Sequence, residues 1–321
     1  MKHTVFVDGQ EGTTGLVIHE RLAKRDDIEV LKIPAEKRKD LAERKKYINE
    51  ADIVFLCLPD SAAKESVSLV ENPATRVLDC STAHRTQEGW AYGIPELSSK
   101  HRETIAGSKR VSVPGCFATG FNMLMYPLVQ EGFVPADYPV SCHAVTGYSG
   151  GGRSLIERYE APENREKLES PAFYALGLQH KHLPEMQKHS GLKSPPLFTP
   201  IVADYFRGMT VAVPLHPELF GKKANFPKGS HAAEIAAFFA DYYRGQRFVK
   251  PLPFNAQDEF EWGFLTEGKC NNTNTLEIMV FGNDQHILAA ARLDNLGKGA
   301  SGAAIQNMNI LLGVDEGYGL E

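Results

Sequence analysis

The chain has no cysteines at Cys-x-x-Cys spacing, no long apolar run and no large excess of one charge. Its five cysteines, at 57, 80, 116, 142 and 270, are scattered through 321 residues. That scatter argues against a zinc site or a disulfide framework and fits reduced thiols in a cytoplasm. The longest apolar run, Ile53 to Leu58, is far too short to span a bilayer. Met1-Lys2-His3 leads straight into the strand-like run Thr4-Val5-Phe6-Val7-Asp8, without the apolar core and cleavage site of a signal peptide. A formal net charge of -5 gives no footprint for nucleic acid or an anionic membrane. There is no internal repeat and no low-complexity tract. What is there, 42% hydrophobic and 23% charged residues, is the composition of a soluble globular protein long enough for two domains.

The first third alternates strand-like and helix-like segments: strands at Val5–Val7, Glu29–Ile33, Ile53–Leu58, Arg76–Asp79 and Arg110–Val113, with helices at Thr14–Lys24 and Leu41–Asn49. Alternation of this kind implies βαβ units and a parallel, doubly wound, Rossmann-type sheet. The pattern then changes. Val140–Thr146 and Thr210–Leu215 read as strands, Ser230–Tyr243 as a helix, and residues 157–170 as helical or exposed. Leu276–Phe281 and His286–Leu293 flank a turn at Gly282-Asn283-Asp284. This second region reads as an α+β domain with a mostly antiparallel sheet. The tail, Ala300–Leu312, reads as a helix that closes the first domain. The expected division is 1–116 with 297–321 for the nucleotide domain and 117–296 for a catalytic and oligomerisation domain.

Three segments carry chemistry. Asp8-Gly9-Gln10-Glu11-Gly12-Thr13-Thr14-Gly15 follows the first strand and opens the first helix. Gly9, Gly12 and Gly15 let backbone approach a pyrophosphate, with Thr13 and Thr14 at the helix N-terminus. Glu11 would bring a negative charge close to that pyrophosphate unless it points to solvent. An NAD site usually ends its second strand in a carboxylate that binds the ribose 2′-hydroxyl. Here Leu31-Lys32-Ile33 runs into Pro34-Ala35-Glu36-Lys37-Arg38, so Lys37 or Arg38 would meet a 2′-phosphate, and NADP(H) is the expected cofactor. Second, Cys116 follows Pro114-Gly115 and precedes an amphipathic helical run, Ala118–Tyr126. A thiol at a helix N-terminus is favoured as thiolate, and the unpaired N–H groups there can hold an oxyanion. Third, Gln179-His180-Lys181-His182-Leu183-Pro184-Glu185 supplies imidazoles to hold a thiolate and move protons, with Glu185 to orient one of them. No third His or Cys stands at metal-ligand spacing, so no metal is expected.

Together these segments resemble the phosphorylating aldehyde dehydrogenases, and in detail the N-acetyl-gamma-glutamyl-phosphate reductases of the shorter type 2. The resemblance rests on Pro114-Gly115-Cys116-Phe117-Ala118-Thr119, on His180-Lys181-His182-Leu183-Pro184-Glu185 and on Asp79-Cys80-Ser81-Thr82-Ala83-His84-Arg85. It rests also on Gly147-Tyr148-Ser149-Gly150-Gly151-Gly152-Arg153 and on the run from Asp294-Asn295-Leu296-Gly297-Lys298-Gly299 to Asn309. It spans residues 4–313. His84 departs from the aromatic residue of the longer form. The resemblance implies a Cys116 thioester, His180 as acid–base with His182 and Glu185, and Tyr174 near them. It implies Ser81 and Gly299 as further cofactor contacts and Arg85, Ser149 and Arg153 as substrate contacts. It also implies an acyl phosphate substrate with inorganic phosphate, a place in arginine biosynthesis, and a homodimer or homotetramer. The rival readings are an aspartate-semialdehyde dehydrogenase, a non-catalytic NADP-binding regulator and a cysteine hydrolase.

Overall fold

The computed structural model describes residues 2–9 and 12–320. The chain forms two compact units, one running up to Gly115 and resuming at Ala300, the other spanning Cys116–Gly299. The break falls after Gly115 and after Gly299, so Cys116 and residues 297–299 belong to the second unit.

The first unit runs β1 (His3–Asp8), α1 (Thr13–Leu22), β2 (Ile28–Leu31), α2 (Leu41–Glu50), β3 (Ile53–Leu56), α3 (Asp60–Ser68), β4 (Arg76–Asp79), β5 (Ala91–Tyr92), α4 (Ser99–Gly107) and β6 (Arg110–Ser112). Its six strands lie in the order β2-β1-β3-β4-β6-β5, every pairing parallel. β3 is buried along its whole length, and this is why Ile53–Leu56 is a continuous apolar run: strands covered on both faces do not alternate. Phe6, Ile33, Ile48, Val54, Leu56 and Val77 close one core face. Each such side chain contributes at most about 1.5–3 kcal/mol. Asp40 caps α2, its Oδ1 accepting from the N–H groups of Ala42 at 2.9 Å and Glu43 at 3.2 Å.

The second unit runs α5 (Cys116–Gln130), β7 (Ser141–Gly147), α6 (Arg153–Glu160), α7 (Arg165–Leu168), β8 (Ala172–Phe173), α8 (Leu183–Ser190), β9 (Leu197–Ala203), β10 (Met209–Leu215), α9 (His231–Tyr242), β11 (Val249–Pro251), β12 (Leu276–Gly282) and β13 (Ile287–Leu293). The strand order is β11-β12-β13-β10-β7-β9-β8. Four of its six pairings are antiparallel, but the sheet is mixed: β7 pairs with β9 and β11 with β12 in parallel. The long connection from Tyr148 to Pro196 is a crossover. It returns the chain to the same end of the sheet, so β9 enters in the direction of β7.

α5 also corrects the sequence reading. It begins at Cys116 itself and is buried almost all round, not amphipathic. It packs on β10, β13 and α8. A Cβ on Gly120 would lie 2.7 Å from Val211 Cγ2, so glycine sets how close the helix sits to the sheet. Pro127 lacks an N–H and leaves the carbonyl of Met123 without its helical donor. The Tyr243 hydroxyl, at the end of α9, donates to that carbonyl at 2.6 Å.

The tail differs too. Gly297–Ser301 forms a turn of π-helix, and the α-helix proper, α10, is Gly302–Leu312. α10 packs on α1, α4 and β4. Its Asn309 accepts from Arg25 Nη1 at 2.6 Å, and Asn307 donates to the Gly93 carbonyl at 2.9 Å.

Candidate active site

β1 and β3 are neighbours whose chains leave toward opposite sides, with β2 beyond β1 and β4 beyond β3. Ligands of open α/β sheets bind outside the carboxyl ends of strands at such a switch point. A cleft of about 700 Å³ lies there, lined by Asp8, Gly9 and Gly12 after β1, by Ile33 and Arg38 after β2, and by Cys57 and Leu58 after β3. Gly9 has φ +88°, and a Cβ on it would lie 2.3 Å from the Cys57 carbonyl oxygen. Only glycine lets the loop rest on that strand end. Gly12 is the N-cap of α1 and has no side chain to cap the helix. Thr13 and Thr14 occupy its first turn, and Gly15 is buried within it. The first-turn N–H groups form an anion site of the kind a pyrophosphate fills. Gln10 and Glu11 lie outside the described residues.

The two basic residues expected to meet a 2′-phosphate part company. Arg38 lines the cleft, and Lys39, which the sequence reading passed over, lines it too. Lys37 is exposed and paired with Glu43 at 2.5 Å. Arg44, on α2, is buried at the cleft wall. It binds Asp8 Oδ2 at 3.0 Å and Glu65 Oε2 at 2.9 Å. Burial works against its charge, yet hydrogen bonds and the charges of Asp8 and Glu65 raise its pKa. The cleft therefore fits a phosphorylated dinucleotide: a small-residue loop, an uncapped helix and cations where the second strand ends.

Ser81 and Arg85 organise the adjoining strand ends. Ser81 donates through its N–H and its hydroxyl to the Asp79 carboxylate, at 2.9 and 2.8 Å. His84 Nδ1 lies 2.5 Å from Asp79 Oδ2, and the ring stacks on Trp90 with centroids 4.1 Å apart. An aromatic plane is thus kept at position 84, with a polar anchor added. Arg85 donates to the carbonyls of Val113 at 2.9 Å and Cys80 at 3.1 Å, so its guanidinium reaches the segment that leads to Cys116.

In the second unit Cys116 is the first residue of α5, partly exposed and in no disulfide. A Cβ on Gly299 would lie 2.7 Å from Cys116 Cβ, so the π-turn presses against the cysteine. The next residue, Phe117, meets the rings of His180, His182 and Phe198 edge-on at 5.5, 5.8 and 5.1 Å. His180 and His182 are perpendicular, 4.7 Å apart. The His182 backbone N–H donates to His180 Nδ1 at 3.1 Å. That bond makes Nδ1 an acceptor, so the hydrogen-bond network assigns the proton of neutral His180 to Nε2.

His182 precedes α8, whose first turn holds Pro184. Glu185 Oε1 is 4.0 Å from His182 Nε2, both residues buried. Tyr174 meets His180 edge-on at 5.9 Å. Burial, and the Cys116 charge after it, push its hydroxyl well above the ordinary tyrosine range, so it stays protonated. Ser149 is buried and accepts from Asn295 Nδ2 at 2.9 Å, while Asn295 Oδ1 accepts from Gly208 N–H at 2.8 Å. The C-terminal signature thus pins the glycine-rich loop, a link the sequence did not reveal. Arg153 stands on the first turn of α6, largely exposed and paired with Glu157 at 3.1 Å. Among the described residues, no group of three or more His, Cys, Asp or Glu could hold a metal ion, and no helix is long and apolar enough to cross a membrane.

A switch-point dinucleotide cleft and a separate unit that presents a thiol and imidazoles define a nicotinamide-dependent dehydrogenase. Residues 4–105 match the semialdehyde dehydrogenase NAD binding domain, and residues 116–295 match the semialdehyde dehydrogenase dimerisation domain. The chain is 48% identical to N-acetyl-gamma-glutamyl-phosphate reductase 2 of Nostoc sp., over 99% of each chain. It therefore belongs to the N-acetyl-gamma-glutamyl-phosphate reductase family of semialdehyde dehydrogenases. Its fold is shared by aspartate semialdehyde dehydrogenase II of Vibrio cholerae complexed with ASA, at TM-score 0.69 and 14% identity over 97% of this chain and 98% of the other. It is shared also by aspartate semialdehyde dehydrogenase with NADP from Candida albicans, at TM-score 0.63 and 14% identity over 97% and 99%.

Proposed function

We propose that the protein reduces N-acetyl-L-glutamyl 5-phosphate to N-acetyl-L-glutamate 5-semialdehyde in arginine biosynthesis, with NADPH as hydride donor and Cys116 as nucleophile. The observation that carries this reading is the place of Cys116. It is the first residue of a buried helix, and its neighbour Phe117 touches both imidazoles. The thiolate attacks the acyl carbonyl, and N–H groups at the N-terminus of α5 hold the oxyanion. Collapse of the adduct breaks the bond between carbon and phosphate oxygen, and inorganic phosphate leaves a thioester on Cys116. NADPH supplies the hydride that reduces the thioester carbonyl. His180, its proton on Nε2, protonates the resulting alkoxide or the departing sulfur; the His182 N–H and Glu185 hold the pair of imidazoles in place. Ser149, Arg85 and Arg153 are the proposed substrate contacts. Ser81 and Gly299 join Gly9, Gly12, Thr13, Thr14, Gly15, Lys37 and Arg38 as proposed cofactor contacts.

Support for NADP(H) comes from Arg38 and Lys39 in the cleft and from the NADP named with the Candida albicans neighbour. A homodimer or homotetramer is supported by the dimerisation-domain match and by exposed Phe173, Leu176, Leu178, Trp262 and Phe264 on the second unit. None of the five cysteines is in a disulfide, which fits a cytoplasmic protein.

The test runs the reaction in reverse, following NADPH absorbance with N-acetyl-glutamate semialdehyde and phosphate against aspartate semialdehyde and phosphate. Phosphate-dependent turnover of the acetylated substrate is expected. Turnover of aspartate semialdehyde alone would overturn the substrate assignment.

A further inference from the structure

Cys57 and Cys80 take no part in the chemistry above, yet they follow paired strands side by side, and Cys57 lines the nucleotide cleft. β3 and β4 are parallel and paired with Leu56 opposite Asp79, and the Cys80 N–H donates to the Leu56 carbonyl at 2.9 Å. The next residue on each strand is therefore the pair Cys57 and Cys80. Neighbouring strands lie about 4.8 Å apart, within the ~4.4–6.8 Å Cα separation that a disulfide bridges. Residues at matched positions also point to the same face. The neighbouring Cys80 side chain first, and burial after it, push the Cys57 thiol well up and keep it protonated. Both residues are partly accessible, and Cys57 lines the cleft.

Cys57 is also the seat of the phosphate loop. Its carbonyl oxygen is the atom a Gly9 side chain would strike, and its N–H donates to the Asp8 carbonyl at 2.8 Å. Cys80, through its carbonyl, holds Arg85. A covalent bond between the two sulfurs would lock these strand ends to each other under the loop and change the cleft wall at Cys57.

We propose that Cys57 and Cys80 are an oxidisable dithiol that closes to a disulfide in the presence of a peroxide and thereby shuts the nucleotide cleft. The Cys80 sulfur gives up its proton and attacks the peroxide oxygen, giving a sulfenic acid and water. The second sulfur displaces the hydroxyl, forming the S–S bond and a second water. Two thiols lose two protons and two electrons, and one peroxide is reduced to two waters. The effect on the cleft rests on the dinucleotide reading of that cleft.

The experiment uses the full-length Cys116→Ser protein, so that the catalytic thiol does not report. It is treated with hydrogen peroxide, with and without bound NADPH. Peptide mass mapping is expected to find a 57–80 link two hydrogens lighter than the dithiol. NADPH affinity, read by its fluorescence, is expected to fall by at least about tenfold, or 1.4 kcal/mol. A thiol reductant restores it, and bound NADPH protects. Cys57→Ser and, independently, Cys80→Ser in the same background should abolish the loss. A 57–80 link with unchanged NADPH affinity would overturn the proposal, as would no link at peroxide levels that oxidise Cys116 in the parent protein. If the reduced protein does not bind NADPH, the nucleotide reading itself fails, while the mass map still reports on the dithiol.

Discussion

At the tip of β1 the groups that matter belong to the main chain: a glycine at positive φ resting on a carbonyl, and a helix with no side-chain cap. At the start of α5 they are side chains, a thiol and two imidazoles boxed by Phe117 and Phe198. The nucleotide unit assembles its site from residues close together in sequence, on the ends of adjacent strands. The second unit gathers its proposed catalytic site from 116, 174, 180, 198 and 299, brought together by a mixed sheet and a long crossover. A pyrophosphate asks only for N–H donors and room, which any backbone supplies where Cβ atoms are absent. Acyl transfer asks for a particular sulfur and a particular proton, and these are side-chain properties.

The contrast can be broken most severely at Cys116. Cys116→Ser should lower turnover by about 10⁴-fold or more while NADPH titrations remain as in the parent protein. Loss of nucleotide binding in that variant would mean that the two sites are not separable in this way. A second test sets two glycines against each other. Gly9→Ala forces an L side chain to φ +88° and into the Cys57 carbonyl, at about 1–3 kcal/mol. It should raise the KM for nucleotide by tenfold or more, on the order of that strain. Gly299→Ala instead places its methyl against Cys116 Cβ. It should lower kcat by about tenfold, through nucleophile displacement, and leave the nucleotide KM in place. Steady-state kinetics that show the same KM and kcat changes in both variants would remove the distinction.

A smaller change is expected from Arg38→Ala. Loss of one charge-assisted contact should weaken the preference for NADP over NAD by about 10-fold, measured as the ratio of kcat/KM values. An unchanged ratio would transfer the 2′-phosphate to Lys39.

The smallest effect concerns pH. The hydrogen bond from Arg25, at 2.6–2.7 Å, outweighs burial and holds the Asp27 carboxyl below its ordinary value. The unfolded chain therefore takes up a proton at a pH where the folded unit does not. The stabilisation is full above the ordinary carboxylate pKa, near ~4, and is lost as pH falls through the lowered value. Asp27→Asn should flatten this acid limb in thermal melts of the protein. An unaltered limb would show that the pair contributes nothing.

The order strand, glycine turn, helix is written locally in residues 3–22, and the parallel sheet of the first unit follows from alternating apolar runs. The buried helix behind Cys116 was harder to read, because Met123, Leu124 and Met125 pack on both sides and leave little periodicity. The mixed sheet depends on which strands the crossover brings together, and the apolar pattern of a strand does not record its neighbour. Arg44 drew no notice in the sequence, because its partners come from other elements: Glu65 from α3 and Asp8 from β1. Likewise, the small residues around Gly299 suggested close approach to a ligand; their observed close neighbour in the second unit is Cys116 itself.

The central claim is that hydride transfer and phosphate chemistry are separate half-reactions joined by a thioester on Cys116. It is tested most directly by mixing the enzyme with NADP and N-acetyl-glutamate semialdehyde in the absence of phosphate. A rapid burst of one NADPH per Cys116 is expected, with the acyl group on that cysteine by mass, and steady turnover only after phosphate is added. Absence of the burst, or its persistence in Cys116→Ser, would contradict the thioester route.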